Sequence, residues 1–140
     1  MKRILFLVVA LAAFPGAAQA SAGFSCEADD KNVTRFAVGG ATPRSEPGLI
    51  NFGAELELDG KKIEFKKSDV KSFYGAGGII RVRFGARSGE QTYTINVNVK
   101  RNPQDEDDWP GTYEVTYGSS NKKDKTKPST IRGKVKCFVE

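Results

Sequence analysis

Residues 54–65 read AELELDGKKIEF, and this stretch decides the fold class. Apolar and polar side chains alternate on both sides of Asp59-Gly60, which is the pattern of two half-buried β-strands. Asp-Gly strongly favours a two-residue hairpin turn, because both turn positions need positive φ. Such a turn pairs Leu56 with Ile63, so one face of the predicted hairpin is apolar.

The same register places an opposite-charge pair, Glu57 and Lys62, on the other face of the hairpin. Period-two alternation continues through most of the chain and is clearest from Tyr93 to Val99. No stretch after residue 20 shows a convincing helical period. We therefore expect an all-β domain of about eight strands, folded as a small antiparallel sandwich or barrel.

Glycine-rich and polar segments separate the predicted strands. We expect Gly39-Gly40 to lie in a loop. The run Gly75-Ala76-Gly77-Gly78 lacks the following helix and Lys-Ser/Thr pair of a phosphate-binding loop, so we interpret it as a wide turn or a bulge. Further loops are predicted at 43–48, 85–91, 101–111 and 118–129.

The N-terminus has the pattern of a secretory signal peptide, predicted over residues 1–20. Lys2 and Arg3 precede an apolar run from Ile4 to Phe14, and Ala18-Gln19-Ala20 presents the small residues that signal peptidase requires. The run is too short for a transmembrane helix. We expect a single β domain over residues 21–140, soluble after cleavage and either periplasmic or secreted.

The chain contains two cysteines, Cys26 and Cys137, and no histidine. An even number of cysteines in an exported protein predicts a disulfide bond, and two cysteines pair in one way only. Half of a zinc site is the alternative, but the other ligands are missing. The disulfide would place the first and last strands side by side.

Charge argues against nucleic acid as a partner. Without Lys2 and Arg3 the chain carries 20 basic and 17 acidic residues, so its net charge is only +3. The basic residues are not interleaved with aromatic ones, as single-strand binding requires. Four lysines in the loop 118–129 form a compact positive segment that either is simply solvated or makes weak contact with an anionic surface: Lys122, Lys123, Lys125 and Lys127.

Two groups of residues are candidates for ligand binding. Arg81 and Arg83 share the polar face of one predicted strand, which becomes continuous with the polar residues of 92–98 if the two strands pair. Basic and amide groups on a sheet can bind a sugar or an anionic polymer, although a solvated outer face has the same pattern. Trp109 and Tyr113 lie near a loop end, where aromatic residues either stack on a ligand or plug a barrel.

The residues for catalysis or metal binding are sparse. The acidic run 105–108 lacks the alternating ligands and central glycine of a calcium loop, and whether it binds Ca²⁺ stays open. Strand carboxylates such as Glu57 and Glu114 fall on predicted polar faces. With no histidine or free thiol, the common nucleophile–base pairs are absent from the sequence. We expect no enzyme activity, no cofactor and no metal.

The segment Phe24-Ser25-Cys26 with the late Cys137 is similar in outline to the periplasmic inhibitors of C-type lysozyme. That resemblance implies a small disulfide-clasped β-barrel. The serine-glycine inhibitory motif of the family is missing, and Ser72-Phe73-Tyr74-Gly75 resembles it only distantly, so no site residue is carried over.

These observations favour an exported, non-enzymatic β domain that binds an envelope component or a small ligand. One alternative is a protein–protein module such as an inhibitor of a hydrolase, and another is an enzyme with an unrecognised carboxylate site. A closed barrel with an apolar lumen would favour a small ligand. A filled core with an exposed loop bearing Tyr74 would favour inhibition.

Overall fold

The computed structural model describes residues 21–43 and 47–140, so the predicted signal peptide lies outside the described residues. No helix in these two ranges is long and apolar enough to cross a membrane. The described chain forms nine strands and one short 3-10 helix, η1. The elements are β1 (Ser21–Ala28), β2 (Arg35–Pro43), β3 (Asn51–Leu58), β4 (Lys61–Lys66), η1 (Lys67–Asp69), β5 (Val70–Ala76), β6 (Ile79–Ser88), β7 (Gln91–Lys100), β8 (Trp109–Ser119) and β9 (Ser129–Val139).

All nine strands belong to one antiparallel sheet in the order β4-β3-β2-β1-β9-β8-β7-β6-β5. The sheet curls into a nearly closed barrel, which confirms the predicted all-β class. The structure has nine strands where about eight were expected, because β5 is a strand in a region where the sequence predicted none. Its alternation is interrupted by a bulge between Val70 and Ser72 and by Gly75.

The barrel does not close through a ninth ladder. Neighbouring strands are all antiparallel, so an odd number of strands leaves the two edge strands, β4 and β5, running in the same direction. The three residues of η1 that connect them are too few for a parallel crossover. Side chains fill the gap between these two edges of the sheet instead. The ring of Phe84 packs against Phe65 and Phe52 at centroid distances of 5.1 and 5.0 Å.

The hairpin at 54–65 has the predicted register, with Leu56 opposite Ile63. Asp59 and Gly60 both have positive φ, 52° and 74°, as the two-residue turn requires. The predicted Glu57–Lys62 pair is correct as a register pair. However, the Lys62 ammonium forms its salt bridges with Glu55 and Glu64, at 3.0 and 3.1 Å.

The predicted loops 43–48, 85–91, 101–111 and 118–129 all include residues that belong to strands, and the predicted loop at Gly39-Gly40 lies wholly within one. Gly39 and Gly40 lie inside β2, where a side chain on Gly40 would approach the Asn51 carbonyl oxygen at 2.9 Å and the Phe24 ring at 3.0 Å. Gly85 lies inside β6, against the backbone of Tyr93. In both places glycine allows the neighbouring strand to approach closely and does not end its own strand, and at Gly40 it also leaves room for the Phe24 ring.

Inward-facing side chains fill the barrel. Among the largest of them, Phe36, Phe84, Leu56 and Tyr113 are almost completely buried. The described residues include no buried side chain with an unpaired polar atom. The interior is therefore a packed core and not an open lumen.

The predicted disulfide is present between Cys26 and Cys137, which lie directly opposite each other in the β1–β9 ladder. Their Cα atoms are 4.0 Å apart, and both side chains are buried in the core. The bond closes a sequence separation of 111 residues. The first and last strands are adjacent, as the sequence predicts.

Replacing either cysteine by serine should lower the free energy of unfolding by roughly 2–5 kcal/mol, because the loop constraint on the unfolded chain is lost. The measurement is urea unfolding of Cys26→Ser, Cys137→Ser and the double variant without oxidant. The double variant should be no less stable than the singles, since each single change already removes the bond. Effects that add in the double variant would contradict this clasp.

Candidate functional site

Strands β6 to β9 carry an excess of positive charge on the outside of the barrel. Their charged residues comprise seven cations and the single anion Glu114. All seven cations are exposed: Arg81, Arg83, Arg87, Lys100, Arg132, Lys134 and Lys136. This excess is not a property of the whole barrel, because β1 to β4 contain four anions and four cations, namely Glu27, Glu55, Glu57, Glu64, Arg35, Lys61, Lys62 and Lys66.

The strand register arranges the outward side chains of β5 to β9 in two adjacent rows. The first row is Tyr74, Arg81, Asn98, Thr112 and Lys134. The second row is Ser72, Arg83, Asn96, Glu114 and Arg132. Five strands at the usual spacing make each row roughly 19 Å long. We call these ten residues the basic face.

The positive charge of the basic face lies at its two sides, with hydrogen-bonding groups between. On β9, Arg132 donates to Glu114 at 2.7 Å and is partly neutralised. On β6, Arg81 and Arg83 form no salt bridge with any residue that the structure describes. The guanidinium groups of β6 are therefore available to an anion, while asparagine and threonine side chains occupy the strands between them and β9.

The four residues that the sequence predicted to bind a ligand lie in different parts of the structure. Arg81 and Arg83 pair with Asn98 and Asn96, so the expected continuous polar face of β6 and β7 exists. Tyr113 is an inward-facing core residue with 1% of its surface exposed. Trp109 is the first residue of β8, partly exposed at the barrel mouth. Ligand binding by these four residues stays a prediction.

Tyr113 and the half-buried Asp30 form a polar contact at the edge of the core, which we call the plug. The Tyr113 ring packs on Phe36 at 5.0 Å and lies over Gly133, where any side chain would collide with the ring and with Asp30. Its hydroxyl donates to the Asp30 carboxylate at 2.9 Å, which also accepts the backbone N–H groups of Asn32 and Lys134. The plug ties the β1–β2 loop to β8 and β9.

The plug changes the pKa of both of its titratable groups. Burial and the neighbouring Asp30 carboxylate raise the pKa of Tyr113 far above its usual range. Burial alone would raise the pKa of Asp30, but the hydrogen bonds from Asn32, Lys134 and Tyr113 stabilise the carboxylate and hold its pKa below the usual 3.8. Asp30 therefore acts as an ionised acceptor at neutral pH.

A small apolar cavity lies at the barrel mouth beside Trp109. Its volume is about 160 Å³, and its walls include the stacked rings of Phe24 and Phe73, with centroids 6.0 Å apart. The Trp109 indole N–H donates to the Glu106 carbonyl oxygen at 2.9 Å, which fixes the ring at the rim. We call this cavity the mouth pocket, and it is lined further by Ala22, Gly23, Thr42, Gly75, Ala76, Gly78, Ile79, Ile80 and Val139.

The remaining sequence motifs have structural explanations. Gly77 and Gly78 form the β5–β6 turn with φ of 61° and 75°, which agrees with the interpretation as a turn. In the acidic run 105–108, Asp105 accepts the Asp107 N–H and Asp108 accepts the Asn102 amide, so two carboxylates hold the loop. The described ranges contain no group of three or more His, Cys, Asp or Glu residues placed to hold a metal ion.

Comparison of the chain with protein-family models, with curated proteins and with solved structures finds no match. The resemblance to lysozyme inhibitors therefore stays an expectation drawn from the cysteine pattern.

Sequence reasoning missed the part of the basic face on β8 and β9. Arg132 and Lys134 reach the face only through the β8–β9 register, and these two strands are separated by a long polar loop. The alternation Arg132, Lys134, Lys136 along one strand was the available signal, because outward residues of a strand recur at every second position.

Gly133→Ala should lower the free energy of unfolding by roughly 1–3 kcal/mol, because the methyl group has to displace Tyr113 or Asp30. Gly53→Ala is the matched control, since nothing lies within 4 Å of its added methyl group. The measurement is urea unfolding of both variants. Equal stabilities would show that the plug does not pack on Gly133.

Tyr113→Phe should destabilise the protein by about 1.5–3 kcal/mol at neutral pH, the range for a hydrogen bond to a charged group. Because the folded-state pKa of Asp30 lies below its usual 3.8, this contribution is present above that value and is lost as the pH falls through the folded-state pKa. Thermal melts from pH 7 to pH 2 check this.

Tyr117→Phe is the control for that pH series, because the Tyr117 hydroxyl makes no hydrogen bond within the described ranges. Its effect on the melting temperature should be small and independent of pH. A Tyr113→Phe effect that stays constant down to pH 2 would mean that the Asp30 carboxylate is not its partner.

Proposed function

We propose that this protein is an exported, non-catalytic binding domain whose basic face binds an anionic polysaccharide of the cell envelope. The observation that carries the proposal is the distribution of charge: β6 to β9 contain seven cations, four of them on the basic face, and one anion, against equal numbers on β1 to β4. Clustered charge of one sign on one side of a domain attracts a polyanion and raises its rate of association.

The arrangement within the basic face suits a glycan that carries acidic groups. Arg81 and Arg83 offer guanidinium forks without a protein partner among the described residues, and such forks match carboxylate or phosphate groups. Asn96, Asn98 and Thr112 offer the amide and hydroxyl groups that pair with sugar hydroxyls. A row of roughly 19 Å accommodates a short oligosaccharide.

The packed interior argues against a small ligand held inside the barrel. The mouth pocket, lined by inward-facing apolar side chains, holds about 160 Å³, and the larger cavities of about 320–390 Å³ in the described ranges lie at surface loops or on the outer face of the barrel. Ligand cavities for drug-sized molecules are commonly larger, at about 300–1,000 Å³. An extended ligand on the outer surface fits the shape of this molecule better than an enclosed one.

A protein–protein module is the second candidate, for which the filled core and the exposure of Tyr74 are the favouring observations. Tyr74 is 53% exposed, although it lies on strand β5 and not on a loop. An exposed tyrosine beside an arginine is typical of binding surfaces for proteins. A hydrolase that is inhibited through Tyr74 would be such a partner.

The proposal predicts that reversing charge on β6 weakens glycan binding. Arg81→Glu with Arg83→Glu should weaken binding to oligogalacturonate, a carboxylated glycan, by at least about tenfold, because two charge-assisted contacts are lost. Isothermal titration calorimetry at 20 and 200 mM salt is the measurement, and wild-type affinity should fall at the higher salt concentration.

The control variant Lys31→Glu with Lys61→Glu changes the net charge equally but outside the basic face, and it should bind like the wild type. A neutral maltooligosaccharide should not bind, and a phosphorylated mannan tests whether phosphate is preferred over carboxylate. Failure of both acidic glycans to bind, or equal losses in both double variants, would contradict the proposal. Inhibition of a hydrolase that requires Tyr74 would favour the second candidate.

A further inference from the structure

Strand β5 has one unpaired edge. It pairs with β6 on one side, and within residues 47–140 no ladder joins its other side to β4. Lys71, Ser72, Tyr74, Gly75 and Ala76 are all exposed. Such an edge presents free backbone N–H and C=O groups to an added strand. The bulge at Lys71 limits the regular part of this edge to 72–76.

The mouth pocket lies beside this edge. Phe73, Gly75 and Ala76 of β5 form part of its lining, together with Phe24 and Trp109. A dry apolar cavity of about 150 Å³ holds one benzene-sized ring, so this pocket accepts a single apolar side chain. On a strand added to β5, alternate side chains point to the same side of the sheet as Phe73, which is the side of the pocket.

We infer that β5 and the mouth pocket bind an extended segment of a partner protein by strand addition. Main-chain hydrogen bonds along 72–76 supply affinity, and one apolar side chain in the mouth pocket supplies specificity. This site lies on the backbone edge of β5 and at the barrel mouth, and it does not rest on glycan binding by the basic face.

Charge around β5 selects an acidic segment. Lys66, Lys67 and Lys71 lie within six residues at the start of the strand. Of the nearby anions, Glu64 is paired with Lys62, and the Asp69 carboxylate accepts the backbone N–H of Lys66. The three lysines form no salt bridge within the described ranges and leave a local excess of positive charge at the start of β5, which favours a partner segment with glutamate or aspartate next to its apolar residue.

The test uses the purified disulfide-bonded protein and a synthetic seven-residue peptide. The peptide alternates valine and threonine around a central phenylalanine, with a glutamate at each end. One comparison peptide has serine at the centre, and another has lysine at both ends. Amide hydrogen exchange followed by NMR should show at least fivefold slowing at alternate β5 amides on saturation, which is the signature of strand pairing.

The glutamate–phenylalanine peptide should bind at least tenfold more tightly than either comparison peptide. Lys71→Glu should reverse the preference between glutamate and lysine ends, whereas Lys31→Glu, at the other end of the barrel, should not change it. Exchange that is unaffected, slowed only outside β5, or slowed without alternation would overturn the inference. Protection of β5 that depends on protein concentration without peptide would identify a second copy as the occupant and also overturn it.

Discussion

The pairing of β1 with β9 is the constraint on which the rest of the barrel depends. In the sheet order, β1 to β4 form one meander of sequential neighbours and β5 to β9 form another, and β1–β9 is the one ladder between them in the described chain. This ladder brings together strands more than a hundred residues apart, so its loop-closure entropy is large. The disulfide lies in the middle of this ladder. It restricts the unfolded chain and so offsets the entropy of closing the loop, which no local turn reduces between these two strands.

The two meanders differ in the charge that they carry. The first is balanced in charge, and its acidic residues are used in local pairs such as Glu55 with Lys62. The second carries the basic face, whose rows are set by four consecutive antiparallel ladders, two of them with two-residue connections. These ladders fix the spacing of the outward side chains, while the β1–β9 clasp and the Asp30–Tyr113 plug hold this meander against the other. A rigid sheet that carries adaptable polar side chains suits a surface that binds an extended polymer.

The sequence correctly predicted those parts of the structure that depend on local chemistry. Asp59-Gly60 correctly predicted the register of one hairpin, and the cysteine pair correctly predicted that the first and last strands are adjacent. Strand β5 was not predicted, because a bulge interrupts its alternation of apolar and polar residues and because no strand pairs with its outer edge in the described chain. Tyr113 and Trp109 lie on the same face of β8, but alternation does not show how far along the barrel each side chain is buried. Predicting that Tyr113 is buried over Gly133 would have required the β8–β9 register.

The most direct test of the central claim is an NMR titration of the isotope-labelled protein with oligogalacturonate at low salt. We expect chemical-shift changes to concentrate on outward residues of β6 to β9, led by Arg81, Asn98 and Lys134. The lysine-rich loop 120–128 and the outer face of β3 and β4 should change little. Changes confined to that loop, or distributed equally over both meanders, would contradict a binding surface built on the basic face.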